Sequence, residues 1–184
     1  MTALHKVETH TSIRAATRSD SAELGSVHVA AWRATYRGIL TDDYLDSMSE
    51  TTLAAYWESI LSDVDRGIGV YVAQNIRGKI IGFADSGPER AGPPRFGEVM
   101  ALYLLPRWRN LGIGRRLVQK CAQQLAKEGF TALAIWTLID NPARDFYAAL
   151  GGTPAEQRIT SIGGTKMVEQ CYRWTDIRTH LANK

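Results

Sequence analysis

No apolar run in this 184-residue chain approaches the ~18 residues that a membrane-spanning helix requires. The first eleven residues, Met1 to Thr11, lack the apolar centre of a secretory signal. They are expected to form a loose leader, and the cytoplasm is the expected location. Cysteine is scarce: Cys121 and Cys171 are too few for a disulfide framework and show no metal-ligand spacing, so buried reduced thiols are expected. The four histidines, His5, His10, His28 and His180, are scattered, and no metal site is expected. Neither sign of charge dominates. A net charge of +3 is too diffuse for a nucleic-acid partner, and the basic residues are spread along the chain apart from short clusters such as Arg107, Arg109, Arg115 and Arg116. The chain has no internal repeat, low-complexity tract or linker.

What is present reads as one compact domain over 12–176, with a leader at 1–11 and a tail at 177–184. Ile13 to Ala16 is a short strand. Asp20 followed by Glu23 resembles a capping box that opens a helix to about Ala34. Thr41 is placed to cap a short helix through Tyr44, Leu45 and Met48, and a further helical stretch carries Leu53, Tyr56, Trp57, Ile60 and Leu61. The pattern then changes to β: Val70 to Ala73, a turn at 75–78, and Lys79 to Asp85 suggest a hairpin. After a Gly/Pro-rich loop from Gly87 to Arg95, Glu98 to Leu105 forms a strand ended by Pro106. Gly112 to Glu128 is an amphipathic helix with Ile113, Leu117, Cys121 and Leu125 on one stripe. Ala132 to Leu138 is a strand and Pro142 to Leu150 a helix. Arg158 to Ile162 and Met167 to Trp174 close with a hairpin around Gly163-Gly164. The order is roughly β-α-α-β-β-β-α-β-α-β-β. It implies an α/β (α+β) fold with a central, mixed, mostly antiparallel twisted sheet flanked by helices.

One stretch carries chemistry. After the strand that ends at Pro106, Arg109-Asn110-Leu111-Gly112-Ile113-Gly114 leads into a helix. Helix starts present unpaired N–H groups with partial positive charge, and glycines let a backbone approach an anion closely. Arg109 and Arg115 are placed to add charge-assisted hydrogen bonds to phosphate. A dinucleotide fingerprint is excluded because Leu117 stands where its third glycine belongs, and a P-loop is excluded because Gly-Lys-Ser/Thr is absent. A plain packing turn is the alternative to an anion cradle.

The surroundings decide between them. Arg109 to Gly114 resembles the acetyl-CoA signature of the GNAT superfamily of N-acetyltransferases, Gln/Arg-x-x-Gly-x-Gly/Ala. The strand ending Leu102-Tyr103-Leu104-Leu105-Pro106 is similar to that family's cofactor-facing strand. Asn141-Pro-Ala-Arg-Asp-Phe-Tyr147-Ala-Ala-Leu-Gly151 is similar to its Asn…Phe-Tyr…Leu-Gly segment. Ala31 to Ile39 with Tyr44-Leu45-Asp46 looks like a bacterial subgroup that includes polyamine acetyltransferases. One departure stands out: Gly152 follows Gly151 where the family often has an aromatic residue, which implies looser packing beside the cofactor.

The resemblance implies a GNAT fold and direct attack by a primary amine on the thioester of acetyl-CoA. The cofactor-facing strand would splay from its neighbour at a bulge, so that backbone groups at Leu102, Tyr103 and Leu104 meet the pantetheine arm, with a Leu104 N–H polarising the thioester carbonyl. The backbone across Arg109, Asn110, Leu111, Gly112, Ile113 and Gly114, with Arg115, would hold the pyrophosphate, and Asn141 the pantetheine from the far side. Tyr147 is expected as general acid to the thiolate. Glu98 is expected as base, directly or through water, with Glu169 as the competing carboxylate and solvated strand positions as the alternative for both. Trp32 and Tyr36, four residues apart on a helix, either line an acceptor pocket or pack the helix on the sheet. Asp42, Asp43 and Asp46 either attract a polyamine or form a solvated helix start. The expected acceptor is a small amine or polyamine. A peptide or protein amine and a non-catalytic acetyl-CoA sensor are the competing readings. No membrane or nucleic-acid partner is expected, and relatives' habits imply a homodimer.

Overall fold

A computed structural model describes residues 10–90 and 92–182. Seven strands form one sheet: β1 (Thr11–Ala15), β2 (Gly69–Asn75), β3 (Ile80–Pro88), β4 (Phe96–Leu104), β5 (Ala132–Leu138), β6 (Thr153–Ile162) and β7 (Thr165–Trp174). Their order across the sheet is β1-β2-β3-β4-β5-β7-β6. Only β4 and β5 run parallel; every other neighbouring pair is antiparallel. A parallel pair needs a crossover, which the amphipathic helix between β4 and β5 supplies.

Three helices precede β2: α1 (Ser21–Tyr36), α2 (Asp42–Ser47) and α3 (Glu50–Ser62). Leu24, Val27, Trp57 and Ile60 of α1 and α3 bury one sheet face through Val70, Val72 and Phe83. The two helices approach closely because Gly25 has no side chain: a Cβ there would lie 2.5 Å from the Glu50 carbonyl oxygen. The crossover helix α4 (Ile113–Lys127) and the short α5 (Ala143–Ala149) cover the other face. There Leu117, Cys121 and Leu125 pack with Val99, Leu133 and Ile135.

Several expected boundaries shift. The capping box forms one turn before the expected one: Thr17 and Asp20 cap a 3-10 turn at Arg18–Asp20, because Arg14 and the Thr17 N–H engage the Asp20 carboxylate. Glu23 instead accepts the Ile80 N–H at 3.1 Å. Strand β6 starts five residues before Arg158; it is an edge strand whose exposed start, Thr153 to Gln157, carries no alternation to read. Residues 1–9 of the expected leader lie outside the described residues, and Thr11 already pairs with Asn75. At the other end Ile177 and Leu181 are buried in the core beside α4.

The departure at Gly152 does not loosen the packing. A Cβ there would lie 2.7 Å from the Trp174 ring and 3.0 Å from the Tyr147 carbonyl oxygen. Trp174 fills the space from β7, and its indole N–H donates to the Leu150 carbonyl at 3.2 Å.

The sheet opens at its centre. The β4–β5 ladder runs from Phe96↔Ala132 to Val99↔Ile135 and stops. On the other side of β4, Asp85 pairs with Ala101 and Ser86 with Val99, which leaves Met100 as an extra, bulged residue. A bulge bends its strand and sharpens the local twist. Residues 100–104 therefore part from β5 and leave a wedge between two strands of one sheet.

Candidate active site

The wedge is the mouth of a cavity of about 680 Å³. One wall is Met100 to Leu104 of β4, and the other is the end of β5 at Trp136 and Thr137 with α5 at Phe146 and Tyr147. Its far end is the turn before α4.

That turn is built by its own backbone. Pro106–Trp108 forms a 3-10 turn that buries Trp108. Asn110 and Gly112 then take left-handed conformations, with φ of 60° and 77°. Helix α4 starts without a side-chain cap, and its first backbone bond is Arg116 N–H to the Gly112 carbonyl at 3.2 Å. The amides of Ile113, Gly114 and Arg115 precede that bond, so they stand at the positive end of the helix. Gly114 keeps this end low: a Cβ there would reach 3.3 Å from the Phe146 ring. The two arginines divide their tasks. Arg109 is engaged internally, donating to the Leu104 carbonyl at 3.2 Å and to Thr35 Oγ1 at 2.8 Å, so it fixes the turn to β4 and α1. Arg115 lines the cavity with no side-chain partner among the described residues. Leu111 is half exposed and Ile113 belongs to the core, so neither side chain lines the cavity.

Asn141 opens α5: its Oδ1 accepts the Ala143 N–H at 2.9 Å while the residue lines the cavity. Tyr147 follows on α5, buried against Phe146 and Tyr172. Burial, helped by the nearby Tyr36, raises its hydroxyl pKa above the ordinary value of 10.0, which keeps the proton on oxygen. Tyr36, the last residue of α1, reaches the same cavity, where its hydroxyl lies 3.4 Å from that of Tyr103. Trp32 does not line the cavity; it backs Tyr36 edge-on at 4.9 Å between ring centroids.

The carboxylates lie to one side. Glu98 is 1% exposed rather than solvated. It accepts from the Arg90 guanidinium and backbone N–H, and it does not line the cavity. Glu169 accepts from Arg158 Nε at 2.6 Å and is likewise off the lining. Asp85, at the bulge, is buried with Oδ1 unpartnered among the described residues, and burial pushes its carboxyl up to about 7. Of the expected residues the structure thus gathers Leu102, Tyr103, Leu104, Arg109, Asn110, Gly112, Gly114, Arg115, Asn141, Tyr36 and Tyr147 around one cavity. It leaves Trp32, Glu98, Glu169, Leu111 and Ile113 off its lining. Met100, Trp136, Thr137 and Phe146 were not singled out: the resemblance implies a bulge in β4 but alternation does not place it at Met100, and Trp136 reads simply as a strand residue. Arg90 sits in a Gly/Pro-rich loop with nothing to announce its partner.

Comparison with known proteins agrees with this architecture. The family model described as the acetyltransferase (GNAT) family matches residues 29–151. The chain is 33% identical over 168 residues to the N-acetyltransferase YuaI of Bacillus subtilis, covering 90% of this chain and 94% of that protein. Its fold is similar to that of the PaiA N-acetyltransferase from Thermoplasma acidophilum, solved with coenzyme A (TM-score 0.66, 19% identity, 88% of this chain and 98% of that one). It is also similar to yncA from Salmonella typhimurium, solved with acetyl-CoA (TM-score 0.68, 19% identity, 90% and 94%). With a family model spanning most of the chain and a near full-length relative at this identity, the protein belongs to the GNAT family of acetyltransferases.

Proposed function

We propose that this N-acetyltransferase passes the acetyl group of acetyl-CoA to the primary amine of a small acceptor, by direct attack in a ternary complex. The observation that carries the reading is the wedge itself: a single cavity is lined by Gly112, Gly114 and Arg115 at the start of α4 and by Tyr147 of α5. The residues present fit the donor. Arg115 and the amides of Ile113, Gly114 and Arg115 suit the pyrophosphate. The unpaired β4 edge at Leu102 to Leu104, with Asn141 opposite, suits the amides of the pantetheine arm.

The thioester, once bound, supplies an electrophilic carbonyl carbon and a thiolate leaving group. The acceptor must arrive as a free amine, since an aliphatic ammonium with pKa ~10 has no lone pair to offer. Its nitrogen bonds to the carbonyl carbon as the C–S bond breaks. A backbone N–H near Leu104 stabilises the charge that develops on the carbonyl oxygen. Tyr147, still protonated, gives its proton to the departing sulfur. The proton lost by nitrogen passes to Glu98 or Glu169, directly or along water. Glu98 requires a water link or movement of Arg90, because that guanidinium covers it.

Closure beyond Tyr36 favours a small acceptor over a peptide. Tyr36 lies in one apolar cluster with Tyr44 of α2 and with Ile162 and Met167 of the β6–β7 hairpin, and a Cβ on Gly163 would lie 2.5 Å from the Tyr44 ring. Asp42 and Asp46 are paired with Arg37 at 2.9 and 2.8 Å, which weakens their pull on a polyamine. Thiol release from acetyl-CoA in the presence of amines, peptides and aminoglycosides tests the reading. Tight acetyl-CoA binding with no acceptor-dependent release would replace it with a sensor role.

A further inference from the structure

Glu98, Trp136, Glu169 and Arg158 share one face of the sheet. The ladder sets this: Glu98 lies beside Ala134, two residues before Trp136, while Glu169 pairs with both Leu138 and Arg158. It is the face opposite α4, beyond the strands that α1 and α3 cover. Trp136 is the first β5 residue past the last β4–β5 pair, so its ring stands at the mouth of the wedge and lines the cavity.

The guanidinium of Arg158 stacks on that ring, 4.0 Å from its centroid. Only its Nε is engaged, by Glu169 Oε2 at 2.6 Å. Nη1 and Nη2 have no hydrogen-bond partner among the described residues, and the side chain is 36% exposed. Stacking fixes the plane, and the Glu169 bond fixes the rotation about the ring. What remains is the outer edge of a rigid fork, the geometry that takes an oxyanion through two parallel N–H bonds. The carboxylates of this face give the complementary sign. Glu98 and Glu169, which would hold an acceptor's positive groups, each carry an arginine already. A polycation therefore meets neutralised carboxylates, whereas an anion meets two unused N–H donors.

We propose that the acceptor is a small molecule carrying an oxyanion beside its amine: an amino carboxylate or an amino phosphonate. Arg158, held on Trp136 by Glu169, receives the oxyanion and turns the amine into the wedge towards Tyr147. This rests on the acetyltransferase reading above and uses the transfer step written there; Arg158 determines specificity and stays outside the bond changes.

Matched acceptors test it. Thiol release is measured with amino carboxylates, with amino phosphonates of the same chain length, and with the alkylamines that lack the anionic group. A charge-assisted pair of hydrogen bonds is expected to raise kcat/KM for one anionic series ~10–100-fold over its matched amine. The better series identifies the oxyanion. In Arg158→Gln that advantage collapses through KM, so that the ratio of kcat/KM between the anionic acceptor and its matched plain amine falls to ~1. Retained turnover of the plain amine shows that the variant is folded. Arg158→Lys restores little, because a point charge lacks the fork. If plain amines or polyamines equal the anionic acceptors, or if Arg158→Gln lowers both series alike, the proposal is wrong and the acetyltransferase reading stands. If no acceptor in any series releases thiol, the acetyltransferase reading itself falls.

Discussion

At Tyr147 the physics favours an acid. Its buried hydroxyl resists ionisation, and the residue lines the cavity proposed to hold the thioester. Tyr147→Phe keeps the ring packed on Phe146 and Tyr172 and removes only the proton. Turnover is expected to fall ~10²–10⁴-fold with KM for acetyl-CoA little changed, as read by steady-state kinetics. An unchanged kcat removes Tyr147 from that role. Asp85 makes a different prediction. Between its ordinary value of 3.8 and about 7, the folded protein holds a proton that the unfolded chain has released. Its contribution to stability therefore falls as pH rises across that window and stays low above it. Asp85→Asn keeps an acceptor for the Ala101 N–H and abolishes the titration. Urea denaturation at pH 4 and pH 8 should show the variant gaining roughly 1–3 kcal/mol on the parent at the higher pH. Equal differences at both pH values would mean that Asp85 titrates normally. Gly152 adds a packing test: Gly152→Ala drives a methyl into Trp174 and is expected to cost ~1–3 kcal/mol in the same assay.

Among the elements, α4 was the most legible, because its stripe of Ile113, Leu117, Cys121 and Leu125 is one helical face and all four side chains are buried. The turn before it was legible for the same local reason: left-handed backbone at Gly112 and an uncapped helix start follow from residues adjacent in sequence. What escaped the sequence depends on partners far along the chain. The bulge that the family resemblance implies in β4 is a mismatch of register between β3 and β4, and its position at Met100 is invisible in either strand alone. The burial of Glu98 depends on Arg90 reaching back from a loop, and the restraint of Arg109 depends on Thr35, 74 residues away. The division of labour at the turn is open to test. Gly114→Val puts a branched side chain between the start of α4 and Phe146, where 3.3 Å is available. Acetyl-CoA affinity by calorimetry is expected to drop at least ~10-fold while far-UV circular dichroism is retained. Undiminished affinity would show that the anion binds elsewhere.

Across the whole molecule the wedge is a weakness as well as a site. Among the described residues, the β1–β4 half of the sheet pairs with the β5–β7–β6 half through the four register pairs from Phe96↔Ala132 to Val99↔Ile135, while α4 bridges the halves from one face and Arg173 of β7 reaches Glu89, just past β3, at 2.9 Å. A donor lying in the wedge would touch β4 on one side and Asn141, Phe146 and Tyr147 on the other, so it would tie the halves together. Binding to the folded state alone stabilises it by ~2.7 kcal/mol at a ligand concentration 100 times Kd. For a domain of this size that raises Tm by roughly 5–10 °C. The gain should also be local. Amide exchange is expected to slow at 100–104, 109–116 and 136–138 on adding acetyl-CoA. The β1–β2 pair, remote from the wedge, should change only as far as global unfolding sets its rate. Slowed exchange confined to β1, β2 and α3, with the turn before α4 unaffected, would place the ligand outside the wedge and overturn the donor site.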